Sequence, residues 1–355
     1  MAAERAKAQN VDLVFEGGGV KGIGLAGAYA VLEERGFEPK NVAGTSAGAI
    51  TAALIAAKYT ANELREIIVS LDYHQFQDEA WEDKIPLFDR TASILLDQGL
   101  FEGARFYEWM KEMLAAKGVR TFRDLVIDEY KDDPKYRSRL QVIASDVTGR
   151  RLLVLPRDAS ALGLDPDDLE VAQAVRMSMS IPFFFEPVRV TNGKTGEKHT
   201  IVDGGMLSNF PVWLFDCEDD DEPDWPTFGC LLVEPEPQKS VGTRLDKDDR
   251  GFSALIDYIK AMAQTMMEAH DRLYVQQAQW ARTIPIPTLG VGTTEFDISR
   301  ERALKLYDSG RSATEKFLAD WDFEAYKEVF RAGTTIPTRH EALQEQLSAT
   351  HAERS

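Results

Sequence analysis

The chain has 355 residues, 44% of them apolar, enough to build a sizeable core in one α/β unit. Its formal charge of −18 and isoelectric point near 4.8 repel polyphosphates and anionic bilayers, so nucleic acid is not an expected partner. Two cysteines and five histidines without ligand spacing provide neither a disulfide framework nor a metal set, and no cofactor is expected.

The first ten residues carry no apolar signal core, and no stretch reaches the ~18 apolar residues of a membrane span. A cytoplasmic protein is expected, with signal-less secretion left open. Residues 11–15 (VDLVF) read as a short strand ending at Glu16 and three glycines. In residues 22–36, Leu25, Ala28, Tyr29 and Leu32 recur at helical spacing before Gly36 stops the run. A second brief strand, 41–43, leads into GTSAG at 44–48, and AITAALIAA after it is apolar all round, as in a buried helix. The first quarter is therefore a βαβα unit with parallel strands.

Residues 60–125 read as mostly helical, with Trp81, Phe88, Leu95, Leu96, Phe101, Phe106, Trp109 and Met110 scattered among acids. Strand patterns follow at 140–145 and 151–155, joined by the turn residues 146–149. A helical stretch, 169–179, is stopped by Pro182, and strands are expected at 199–202 and 229–233. Helical periodicity returns at 252–280 and 299–317, and the polar residues 335–355 form a frayed tail beyond one domain, 11–334. The acidic run 216–224 lacks the alternating ligand pattern of a calcium loop and is read as solvated. The expected fold is a three-layer α/β/α sandwich with a central, mostly parallel sheet.

Gly44-Thr45-Ser46-Ala47-Gly48 matches G-x-S-x-G, with an apolar strand before it and a small-residue helix after it. That setting holds a serine on a sharp turn with its hydroxyl projecting, and the flanking glycines (Gly44 and Gly48) avoid collisions with neighbouring backbone. Gly17-Gly18-Gly19-Val20-Lys21-Gly22 also follows a strand and opens a helix. Its bare amides form a nest for an oxyanion or a phosphate. A dinucleotide fingerprint would need an acid at the end of the second strand, where Gly44-Thr45-Ser46 stands instead. A Walker loop is excluded because Lys21 precedes the last glycine. An oxyanion hole of Gly17, Gly18, Gly19 and Gly22 fits best, each donor being worth about 2.7–4 kcal/mol in the transition state. Lys21 would hold a phosphate, steady the loop through an ion pair, or stand solvated at the helix start.

Asp203, at a strand end before Gly204 and Gly205, would approach another loop closely and accept the Ser46 proton directly. A triad would interpose a histidine. His270 lies in a helical pattern, His340 in the tail, and His199 on the strand itself, so a Ser46–Asp203 dyad is the economical reading. A free aspartate has a pKa near 4, which makes it a weak base for a hydroxyl and modest turnover the expectation.

With these blocks in order, the chain resembles the patatin-like phospholipases. The resemblance runs from about residue 11 to 320 and rests on GGGVKG at 17–22, GTSAG at 44–48, SMSIPFFFEP at 178–187 and DGG at 203–205. It implies a Ser–Asp dyad, a glycine-loop oxyanion hole, hydrolysis of acyl esters in lipids, and no metal. Residues 293–299 (TTEFDIS) are similar to the C-terminal strand region of bacterial members. Pro182 and Pro187 hold Phe183, Phe184 and Phe185 in an extended segment. At least one of these rings lines an acyl pocket, or else all three pack inside.

The apolar residues between Trp81 and Met110 serve as a lid or interfacial helix, or else as core. With its negative charge, the chain is expected to take dispersed, micellar or zwitterionic lipids through transient surface contact, or to need an activating partner. Alternative readings are a Ser-Asp-His esterase or thioesterase for small soluble esters, an idle lipid-binding relative, and a nucleotide-binding protein using the glycine loop.

Overall fold

The computed structural model describes residues 9–69, 71, 103–182, 184–216, 223–234, 281–293 and 295–330. Strand β1 (Gln9–Phe15) runs through the glycine loop into helix α1 (Ile23–Glu34), and β2 (Phe37–Thr45) through the Ser46 turn into α2 (Ala47–Ala56). β1 and β2 pair in parallel, as the βαβα pattern requires. Helices α3 (Ala61–Val69) and α4 (Ala104–Ala116) come next, then the antiparallel pair β3 (Leu140–Asp146) and β4 (Arg151–Leu155). The chain continues through α5 (Val171–Ser178), β5 (Val188–Thr191), β6 (Lys198–Asp203), β7 (Thr227–Val233) and β8 (Thr283–Pro287). It closes with α6 (Arg300–Asp320) and α7 (Phe323–Phe330).

The eight strands form one sheet, hydrogen-bonded one to the next along the path β5-β6-β3-β2-β1-β7-β8, with β4 also on β3. β3-β2-β1-β7-β8 is parallel throughout, whereas β4, β5 and β6 add antiparallel pairs. Alternation along the strands sends Leu13, Phe15, Val42, Val142 and Phe228 to one face, where α1, α2, α4, α5 and α6 bury them. Val14, Ala43, Ile143 and Leu231 point to the other face, under the 3-10 turn Val212–Phe215. A mixed, mostly parallel sheet thus lies between helical segments on both faces, as the sequence predicts.

The register of β3 creates the site. β4 lines one edge of β3 from Val142 to Asp146. On the opposite edge β2 reaches as far as Ile143, which faces Thr45, and β6 takes over at Ala144, which faces Asp203. β2 runs parallel to β3 and β6 antiparallel, so their carboxyl ends meet head-on.

Several expectations change. β2 is longer than 41–43 because its pairing with both β1 and β3 extends it. The short strands β5 and β8 carry too weak an apolar alternation to be seen in the sequence. Of the segment 293–299, residues 293 and 295–299 are described and precede α6 without strand structure, with Ser299 capping the helix by accepting the Arg302 N–H at 3.3 Å. Phe106 and Met110 are buried in the main core, and Trp109 packs against it. Trp81, Phe88, Leu95, Leu96, Phe101, the helix over 252–280 and the tail 335–355 lie outside the described residues, as do His270, His340 and most of the acidic run. Asp216, at its start, is paired with the buried Arg282 rather than solvated.

Candidate active site

Ser46 sits between β2 and α2 with φ 53° and ψ −125°, a left-handed backbone that costs a non-glycine residue about 1–3 kcal/mol. The strain is held from three sides. A Cβ at Gly44 would stand 2.3 Å from the Gly48 carbonyl, and one at Gly48 would stand 2.2 Å from the Phe15 carbonyl. From α5, the Ser178 Oγ accepts the Ser46 N–H at 2.8 Å. Glycine at both flanks is thus a packing requirement, which is why the pentapeptide was legible.

The head-on meeting of β2 and β6 brings Ser46 beside Asp203, and both are fully buried. Asp203 Oδ1 accepts the Gly205 N–H at 2.7 Å, while Oδ2 has no hydrogen-bond partner among the described residues. Burial pushes the Asp203 carboxyl up to about 7, against the opposing pull of the Ser46 hydroxyl and the Gly205 N–H. The expectation of a weak base near 4 is corrected accordingly, because desolvation was invisible in the sequence. The Ser46 hydroxyl stands close enough to favour the Asp203 anion, yet its directed contact is with Met179 Sδ at 3.6 Å. Sulfur is a weak acceptor. A turn of the side chain would move that proton toward the open Oδ2.

The glycine loop lies against this pair. A Cβ at Gly17 would be 3.1 Å from Ser46 Cβ, and one at Gly22 would be 3.0 Å from Ala47 Cβ. Gly19, at φ +56°, is pressed onto the Thr293 carbonyl, which also accepts the Val20 N–H at 3.1 Å. The Gly17 amide is occupied, donating to the Asn209 carbonyl at 3.1 Å. Gly18 and Gly19 head a 3-10 turn, and no hydrogen bond from either amide to a described residue is found. Of the four glycines, these two have amides available to an incoming oxyanion, whereas Gly17 and Gly22 serve close approach. Lys21 is buried rather than solvated, and its Nζ pairs with Glu234 Oε1 at 3.0 Å, the ion pair among its three expected readings.

An apolar cavity of about 40 Å³ opens beside Ser46, lined by Ala47, Ile50, Phe106, Met179, Phe184, Phe185 and Phe296. Phe185 is buried and Phe184 half-buried, and Phe183 lies outside the described residues. No group of three or more His, Cys, Asp or Glu that could hold a metal is found among the described residues. No described helix is long and apolar enough to cross a membrane. His199 Nδ1 donates to Asp146 Oδ2, 3.0 Å away, and His199 stands four residues from Asp203, roughly 13 Å along the strand. Ser178 and Met179 were quoted only within the block 178–187, Thr293 and Phe296 only within 293–299, none with a role at the site, and Asn209 was not singled out. They reach the site from α5 and from loops, and no local spacing signals that.

The sequence model of the patatin-like phospholipase family matches residues 13–216, which include Ser46 and Asp203. The chain is 40% identical over 316 residues to the uncharacterized protein YqhO of Bacillus subtilis (strain 168), covering 88% of this chain and 99% of that protein. It is 24% identical over 200 residues to the probable lipid hydrolase 463L of Invertebrate iridescent virus 6, covering 56% of this chain and 61% of that protein. Its fold is similar to the crystal structure of VipD from Legionella pneumophila, with a TM-score of 0.50 at 19% identity, covering 90% of this chain and 72% of that one. With a match spanning more than half its length and with a close full-length relative, this chain belongs to the patatin-like phospholipase family.

Proposed function

We propose that the protein is a lipid acyl hydrolase, of phospholipase A or lysophospholipase type, working through Ser46 and Asp203. The observation that carries this reading is the meeting of β2 and β6 on one edge of β3, with a buried serine beside a carboxylate lifted to about 7. Family membership and the similarity to a probable lipid hydrolase support the same class of reaction.

Ser46 Oγ attacks the ester carbonyl carbon while its proton passes to Asp203 Oδ2. The carbonyl oxygen becomes an oxyanion received by the amides of Gly18 and Gly19. Collapse of the tetrahedral adduct breaks the bond to the alcohol, which leaves with the proton from Asp203 and a fatty acyl group on Ser46. Asp203 then takes a proton from water, whose oxygen attacks the acyl carbon, and returns that proton to Ser46 as the fatty acid departs. A base with a pKa near 7 is half ionised at neutral pH, the point at which acceptance and return of the proton are balanced. The cavity beside Ser46 takes the acyl chain. As it stands it has room for about three waters, so the chain enters by spreading Met179 and the phenylalanines.

Wild type and Ser46→Ala, incubated with mixed zwitterionic lipids, are compared by mass spectrometry of the released fatty acids. Wild type is expected to release them and Ser46→Ala to fall by roughly 10³-fold or more. Equal release from the two proteins would overturn the assignment.

A further inference from the structure

Asn209 is buried where the glycine loop meets the Asp203 loop, and the proton transfers above leave it idle. Its backbone carbonyl accepts the Gly17 N–H at 3.1 Å, and its Nδ2 donates to the Gly17 carbonyl at 3.0 Å. The same Nδ2 donates to Glu16 Oε1 at 3.2 Å, and Glu16 Oε2 accepts the Leu232 N–H from β7. Gly17 is therefore gripped at its amide and its carbonyl by one residue, whose own side chain is anchored to the sheet. The fit leaves no room: a Cβ at Gly17 would stand 2.2 Å from Asn209 Oδ1, and one at Gly205 would stand 2.8 Å from it. One residue earlier, the Ser208 carbonyl accepts the Thr45 hydroxyl at 3.1 Å, tying the same segment to the residue before Ser46.

The peptide joining Gly17 to Gly18 is planar and trans, so the Gly17 carbonyl and the Gly18 N–H point in opposite directions as one rigid unit. We infer that Asn209 is a positioning residue: by holding the Gly17 carbonyl, its amide turns the Gly18 N–H away from itself and toward the ester oxygen at Ser46. The Asp203 loop, six residues upstream of Asn209, thereby sets the oxyanion donor as well as the base. This inference rests on the reading of Ser46 as nucleophile and Gly18 as donor. Without the side-chain amide, the Gly17–Gly18 peptide is free to rotate and the donor is lost as a fixed feature of the pocket.

The test uses the full chain with Asn209→Ala, the isosteric Asn209→Asp, and Ser46→Ala, on a p-nitrophenyl ester of a fatty acid. An alkyl trifluoromethyl ketone, which forms an oxyanion on addition of Ser46, is compared with the product fatty acid as inhibitor. Both Asn209 variants are expected to lose roughly 10- to 100-fold in kcat. KM and fatty-acid inhibition should stay within about threefold, while ketone inhibition weakens by the same factor as kcat. The inference is overturned if kcat stays within about threefold of wild type in a folded variant. It also falls if ketone and fatty acid weaken equally, since a merely structural role would affect both. Should Asn209→Ala fail to fold, Asn209→Asp keeps the shape and lacks the donor. Activity surviving in Ser46→Ala would instead remove the functional reading beneath it.

Discussion

Asp12 on β1 and Asp203 at the end of β6 are both buried, and burial lifts each carboxyl to about 7. Their neighbours differ. Asp12 Oδ1 accepts the Asn41 N–H at 3.0 Å, and the Trp225 side chain and the charges of Lys135 and Lys40 also favour its anion. Peptide and indole N–H groups do not give up their protons near neutral pH, so Asp12 has nothing to deprotonate. Asp203 faces a serine hydroxyl and keeps Oδ2 open. Asp12 also sits at the middle of β1, and the glycine loop begins at Gly17, roughly 16 Å further along the chain. A raised carboxyl therefore marks burial in both places, and only the group beside it separates Asp12 from Asp203, the proposed base.

The sharpest way to break this pairing is to neutralise each member. Asp203→Asn is expected to lower kcat/KM for ester hydrolysis by roughly 10³- to 10⁴-fold, and Asp12→Asn to leave it within about threefold. Equal losses in folded proteins would mean that the two acids share one structural role. The pH profile separates them next. kcat/KM should climb about tenfold per pH unit below a break near 7 set by Asp203, then level off. The same break should persist in Asp12→Asn; its disappearance there would assign the limb to Asp12.

Stability should unite what activity separates. A carboxyl raised in the folded state binds its proton more tightly there than in the unfolded chain. Its favourable contribution is complete below the unfolded value near 4 and is lost as pH rises through about 7. Replacing either acid by Asn removes that loss, so thermal melts at pH 8 should show each variant stabilised by on the order of 2–4 kcal/mol, with no gain near pH 4. A gain confined to Asp203→Asn would show that Asp12 is held as a comfortable anion by its donors. The smallest effect concerns the acyl end. Phe184→Ala enlarges the cavity and should shift the kcat/KM ratio toward longer acyl chains by about threefold.

The steps that depend on nearest neighbours in the chain were legible. Gly44 and Gly48 flank a turn whose backbone tolerates no Cβ, so their requirement is written within five residues. The βαβα start, the run of parallel strands and the placing of Asp203 before two glycines follow from short periodicities of the same kind. β5 and β8 were missed because their strand character comes from pairing with β6 and β7 rather than from their own residues. Lys21 carried three readings that differ only in what stands opposite (a phosphate, an acid or water), and Glu234 is 213 positions away.

By itself the sequence singled out the candidate residues: a serine between glycines, an acid before glycines, and a loop of bare amides. These are properties of covalent geometry and side-chain type, fixed before the chain folds. Tertiary structure alone decided that β2 and β6 end against each other on β3, that Asp203 is desolvated to about 7, and that Asn209 clasps Gly17. Each is a distance between residues far apart in the chain, or an exclusion of water by the whole core. Neither quantity exists until strand register and packing are set.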